Sequence, residues 1–258
     1  MYLVIDSVDF TTTLEQGYPT HRIQDVWAYA DGLSIGVFEL PAVIPVLSAD
    51  AEVQIDIFGG IRNNGSTFAP LQYPFFERNA YTLDFEPGTF VELSPSFTYR
   101  EGVTIAVNED FEGPAIFTVD CDEDDTSILA STSDPENVIY GNRAGSITVN
   151  SQNLLFQQAT FEVFDVEDFG SSEVFVELDF KSDIEFTFGY IGFDGVTPIK
   201  RFPNGFNPTD EWTKIYLDLS VDLNGGEFDA YQLMIAGAPV NEGGTIWIDN
   251  IKLVYNER

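Results

Sequence analysis

One cysteine, one histidine and two methionines in 258 residues set the first limits on what this chain does. A single thiol, Cys121, can form no internal disulfide, and it carries no information about redox compartment. With His21 as the only histidine, zinc sites built from histidine and cysteine are excluded. A serine triad would have to use that one residue, and no G-x-S-x-G elbow is present. Cys121 sits among Asp120, Asp122 and further acids, which raise a thiol pKa and make it a poor nucleophile. Cations are scarce as well: 11 Lys and Arg stand against 43 Asp and Glu, a formal net charge of -32. Such a surface repels nucleic acid and anionic lipid, so neither is an expected partner. No apolar run is long enough to cross a bilayer as a helix. The opening MYLVIDSVDF has no basic n-region followed by a long apolar segment, which does not by itself make the chain cytoplasmic.

Helical periodicity is almost absent too. What is present is short alternating runs separated by Gly, Pro, Asn and Asp, the pattern of an all-β protein. The apolar share is 44%, with 23 Phe and 11 Tyr, enough for a sizeable core of strands. The first half predicts strands near 2–8, 25–30, 34–39, 52–58, 81–85 and 89–99. Ala30-Asp31-Gly32 between two of them is hairpin chemistry, because Asp-Gly supplies the positive φ of a tight turn. PAVIP, residues 41–45, reads as an extended segment at a sheet edge or crossing between sheets. A polar turn at 100–102 and a fresh apolar strand from Val103 place a domain boundary there, giving domains 1–102 and 103–258. The second domain predicts nine further runs, a number that suits a two-sheet sandwich. The stretch 194–211 predicts a long loop, with three prolines and two glycines.

The order EDFEG (109–113), EWTKIYLDLS (211–220) and GTIWIDNIKLV (244–254) resembles jelly-roll sandwiches of the carbohydrate-binding-module and galactose-binding-like class, over about residues 104–258. DVWAYADGLSIGVFELPAVIPVL (25–47), GGIRNNG (59–65) and YPFF (73–76) resemble the N-terminal part of uncharacterised outer-membrane lipoproteins of Bacteroidetes-type bacteria. There a small immunoglobulin-like (PEGA-like) β-sandwich precedes a jelly roll. The resemblance implies an extracytoplasmic, secreted or surface-anchored protein. Any membrane attachment would run through a lipidated N-terminal cysteine that is not in this chain. It implies no transferable activity.

Three groups of residues are candidates for a site. Glycans stack their apolar faces on exposed rings while amides and carboxylates take the hydroxyls. Tyr190, Phe193, Phe202 and Phe206, interleaved with Asn204 and Asn207, fit that chemistry; Trp212, Trp27 and Trp247 read as packing. In the resembled class a structural calcium lies near the first and last strands, which points to Asp110, Glu112 and Asp249 as ligands; surface carboxylates with Asp249 bonded to a backbone amide are the alternative. In DCDEDD (120–125), Asp120, Asp122 and Asp124 match the first ligand positions of a calcium loop. The match then fails at Asp125, where Gly is needed, and at Ser131, where Glu is needed, so a solvated acidic turn is the reading. Finally, Ile246 and Ile248 have one parity, and Ile251 and Leu253 the other. A bulge at Asp249-Asn250 would put both pairs in the core; the alternative is a strand buried on both faces by the neighbouring domain or a loop.

The functional expectation is a non-catalytic surface lipoprotein that binds glycan through its jelly roll. The alternatives are a structural or adhesive module that contacts other surface proteins, and a glycoside hydrolase or lyase using a carboxylate pair.

Overall fold

The computed structural model describes residues 1–258 apart from 123–127, 151–154, 170–172, 196, 239–242 and 257–258. The chain is all-β and divides into two compact units, 1–103 and 104–258.

Unit one holds ten short strands. β1 (Tyr2–Ile5) lies between β5 (Ala42–Pro45), antiparallel to it, and β9 (Phe90–Glu92), parallel to it. PAVIP therefore supplies an edge strand, where Pro45 removes no needed ladder donor. β2 (Asp9–Phe10) pairs in parallel with β10 (Ser96–Phe97). The largest sheet runs β4 (Leu33–Glu39), β3 (Asp25–Ala30), β6 (Glu52–Arg62), β7 (Pro70–Gln72), with β8 (Asn79–Asp84) also on β6. The expected Asp31-Gly32 turn joins β3 to β4, and its φ values of 49° and 76° suit the two positive-φ positions of a type I′ hairpin. Alternation along β6 buries Val53, Ile55 and Ile57, which with Leu3, Ile5 and Val26 belong to the core of this unit.

Unit two is a sandwich of two six-stranded sheets. The first runs β13 (Ala130–Thr132), β14 (Ala144–Val149), β22 (Gly244–Asn256), β17 (Val174–Ser182), β20 (Thr209–Asp218), with β11 (Val103–Glu109) also on β22. The second runs β12 (Phe117–Asp120), β15 (Phe156–Thr160), β21 (Ala230–Gly237), β18 (Phe186–Phe193), β19 (Ile199–Phe206), with β16 (Phe164–Asp165) on β21. The chain passes repeatedly from one sheet to the other, the habit of a jelly roll. The inward parity of each strand meets in one core, including Val176, Leu178 and Leu217 from the first sheet and Phe186, Phe188 and Leu233 from the second.

The phase change in GGTIWIDNIKLV is a β-bulge. Glu177 faces Lys252, but Asp179 faces Asp249, so two steps on β17 match three on β22. Asn250 takes up the extra residue at φ 50°. Ile246, Ile248, Ile251 and Leu253 all enter the core as a result. The strand is buried on its other side as well, since Asp249, Asn250 and Lys252 are also inaccessible.

Candidate glycan-binding cavity

The residues expected to form a loop at 194–211 mostly form strand. Most of RFPNGFNP belongs to β19, an edge strand of the second sheet, and its proline is tolerated because an edge strand has one unpaired side. The turn-forming composition that suggested a loop is the composition an edge permits.

This change decides where each candidate ring points. Phe186, Phe188 and Tyr190 share the inward parity of β18, so Tyr190 is a core residue, 3% exposed, not a surface platform. Its hydroxyl donates to Asp222 at 3.1 Å, and burial pushes its pKa up, with the Asp222 charge adding to the rise. Phe206 is also inward, 6% exposed, and packs on Phe180 and Phe186 at centroid distances of 5.0 and 4.6 Å. Phe193 is half-buried against a small apolar cluster. Asn204 is half-buried and Asn207 exposed. Phe202 alone of the candidate rings stands out, 42% exposed.

Phe202, Phe206 and Asn207 line one cavity of about 570 Å³; Tyr190, Phe193 and Asn204 do not. The volume lies in the range of small-molecule sites. Residues not singled out in the sequence complete it. Gln157 faces Ala236, Ala236 faces Thr187, and Thr187 faces Gly205, a row that crosses β15, β21, β18 and β19. All four line the cavity, together with Leu155, Glu185 and Gly237. The row consists of small or polar residues on strands whose inward positions are Phe, Tyr and Leu. That contrast is the signal a closer parity reading would have used. A Cβ at Gly205 would meet no heavy atom within 4 Å, so this glycine borders open space. At Gly189 the opposite holds: an added Cβ would lie 2.0 Å from the Arg201 carbonyl oxygen and 3.1 Å from Phe202 Cα. The close approach falls where the β18–β19 register shifts between Phe188 and Tyr190, and it sets the backbone beneath Phe202.

The polar groups at the cavity suit hydroxyls. Gln157 and Asn207 offer amides, Glu185 a carboxylate, and Thr187 a hydroxyl whose proton goes to the Ala236 carbonyl at 3.0 Å, leaving its lone pairs to accept. Glu185 is the one acid among the described lining residues.

The acidic candidates are arranged differently. Glu109, just ahead of them and buried, accepts from the amides of Phe111 (2.9 Å) and Ile116 (2.5 Å). Phe111 is held at φ 58° with its ring against Gly145. Asp110 accepts from the Glu112 amide at 3.1 Å. Glu112 accepts from the amides of Asn142 and Arg143, and these bonds hold its carboxyl below the ordinary range. Asp249, fully inaccessible, accepts from the Asn250 amide at 2.8 Å. Burial pushes its pKa up to about 8, with the charges of Asp179, Asp110 and Glu112 adding to the rise. Among the described residues no three His, Cys, Asp or Glu side chains are grouped to hold a metal ion. In the acidic run, Asp120 accepts from the Asp122 amide at 3.2 Å; Glu123, Asp124 and Asp125 lie outside the described residues. Burial pushes the Cys121 thiol up, against nucleophilic use.

No family model and no curated protein matches this chain. Solved structures similar to it include the family 11 carbohydrate-binding module of the cellulosomal cellulase Lic26A-Cel5E of Clostridium thermocellum, 16% identical, with 60% of this chain and 95% of that one covered and a TM-score of 0.43. The family 11 module from Clostridium thermocellum in complex with a β-1,3-1,4-mixed-linked tetrasaccharide gives 16%, 61%, 98% and 0.42 in the same order. The family 30 module of the cellulosomal cellulase Cel9D-Cel44B of the same organism gives 14%, 60%, 95% and 0.40. None reaches a TM-score of 0.5, and the site is read from its own residues.

Proposed function

We propose that unit two is a non-catalytic glycan-binding module whose site is the cavity beside Phe202. The observation that carries this reading is one exposed ring beside a row of small and polar residues. A pyranose has an apolar C–H face and a rim of hydroxyls. The Phe202 ring takes the first, and Gln157, Thr187, Asn207 and Glu185 take the second. A glycan array with three proteins tests it. Wild type retains at least one glycan class. Phe202→Ala binds it about 10- to 100-fold more weakly, a loss of roughly 1.4–2.8 kcal/mol. Gly205→Phe fills the cavity and abolishes retention while the melting temperature stays near that of wild type, since a Cβ at Gly205 meets no heavy atom within 4 Å. Absence of any retained glycan overturns the reading.

Surface display belongs to the same proposal. A chain with 43 acidic and 11 basic residues suits contact with neutral glycans and with cations, outside the company of nucleic acid. An antibody to the chain should label intact cells of the source organism without permeabilisation, and labelling only after permeabilisation would reject it.

A second reading, an adhesive module for other surface proteins, is favoured by unit one. Tyr2 and Phe90, opposed in the parallel register of β1 and β9, stack at 5.0 Å, and Phe90 is 67% exposed, with Val43 also exposed.

A further inference from the structure

Lys200 ties the two edges of the second sheet together over its outer face. Its Nζ donates to the Cys121 carbonyl at 2.5 Å and to Gln157 Oε1 at 2.6 Å. Lys200 belongs to β19 at one edge. Cys121 follows β12 at the other edge and keeps its pairing, its amide donating to the Gln157 carbonyl at 2.9 Å. In a flat sheet β19 would lie roughly 14 Å from β15 and roughly 19 Å from β12, beyond what one lysine can bridge. The sheet must therefore curl its outer face into a trough, and Lys200 crosses that trough.

Under the crossing the trough is filled. Ala159, Ile191 and Met234 form a small buried cluster apart from the main core, with Val119, Cys121 and Phe193 packed against it. One row along, the trough is empty: there Gln157, Ala236, Thr187 and Gly205 line the cavity. Gln157 thus serves both parts. It lines the cavity and anchors Lys200 at the neighbouring crossing.

We infer that this site receives the end of a glycan chain and excludes its interior. The inference rests on the glycan reading above. A chain running through the trough would have to break both Lys200 hydrogen bonds and displace the buried cluster. A terminal sugar needs neither. It stops against Gln157 and the lysine ammonium, which has three donors and has given two to Cys121 and Gln157. Among the described residues nothing takes the third, which a terminal hydroxyl can use. A chain end also suits the small and polar row, which offers hydrogen bonds around one or two rings and no extended aromatic strip.

Counting chain ends tests the idea. Soluble β-glucan, xylan, mannan, galactan and polygalacturonate are offered as polymers, as the same polymers after limited endo-cleavage, and as tetrasaccharides, with calorimetric readout. The expected result, for the class that binds, is one protein per tetrasaccharide and a polymer capacity that rises in proportion to the ends created. Lys200→Ala, which opens the crossing, should load uncleaved polymer severalfold more heavily than wild type. Wild type that loads uncleaved polymer at many copies per chain, with no gain on cleavage, overturns chain-end selection and leaves glycan binding standing. Failure of all five glycans in every form overturns both.

Discussion

Gly189→Ala should lower stability by about 1–3 kcal/mol, the cost typical of forcing volume into a packed site. The added Cβ would lie 2.0 Å from the Arg201 carbonyl oxygen, and a backbone atom of the neighbouring strand cannot swing aside as a long side chain can. β18 and β19 must separate at the point where their register already shifts. The consequence reaches the cavity, because Phe202 Cα also lies only 3.1 Å from that Cβ. Chemical denaturation should show a lower midpoint at unchanged slope, and glycan affinity measured well below that midpoint should fall as well. The contrast with Gly205→Phe is the sharper part of the test. Both glycines are in the same strand pair, yet one substitution should damage the fold and the other only the site. A Gly189→Ala protein as stable as wild type would mean that β19 does not lie as close to β18 as described.

Asp249→Asn should stabilise the protein, and more at pH 8 than at pH 4. The folded carboxyl keeps its proton up to about pH 8, while the unfolded chain releases it near an ordinary aspartate value. Between those limits the unfolded state binds fewer protons, so unfolding free energy falls as pH rises. A shift from 3.8 to about 8 sets an upper bound of roughly 5–6 kcal/mol on that fall, at about 1.4 kcal/mol per unit. Asparagine keeps the shape and an acceptor for the Asn250 amide and has no proton to lose. Lys252 acts on the far side of the same pH. Burial and the Lys214 charge push its pKa down to about 8, so between pH 8 and its unfolded value near 10.4 the unfolded state binds more protons and stability recovers. Melting temperatures across pH 4 to 10 should therefore pass through a minimum near pH 8. Asp249→Asn should remove the limb that falls toward that minimum from acid pH and leave the limb above it. The opposite result, a lower melting temperature for Asp249→Asn in calcium-containing buffer with no loss in its absence, would point to a cation at Asp249, as the resemblance to calcium-stabilised modules implied.

Much of the fold was legible from local pattern. The Asp31-Gly32 hairpin follows from turn chemistry alone, because few residue pairs accept two positive φ angles in succession. The bulge at Asp249-Asn250 follows from parity, since two apolar pairs of opposite phase can share a core only if one residue is added between them. Parity also held the answer for Tyr190, which continues the inward series of Phe186 and Phe188. Reading the following segment as a loop hid it, because an edge strand tolerates the same prolines and glycines that a loop uses.

What alternation specifies is which face of its own strand a side chain occupies, and that much the sequence by itself determined: an all-β chain, its strand parities, one hairpin and one bulge. It does not specify the neighbour across the sheet. The row Gln157, Ala236, Thr187 and Gly205 draws on four strands separated by up to 79 positions, and no short-range rule relates them. Nor could it show that Lys200 reaches Cys121, since that contact exists only because the sheet curls. The unusual proton affinity of Asp249 arises likewise from the burial that surrounds it, which the tertiary structure alone decides. Backbone geometry is set by residues adjacent in the chain, whereas a cavity and a perturbed charge are made by residues that become adjacent only after folding.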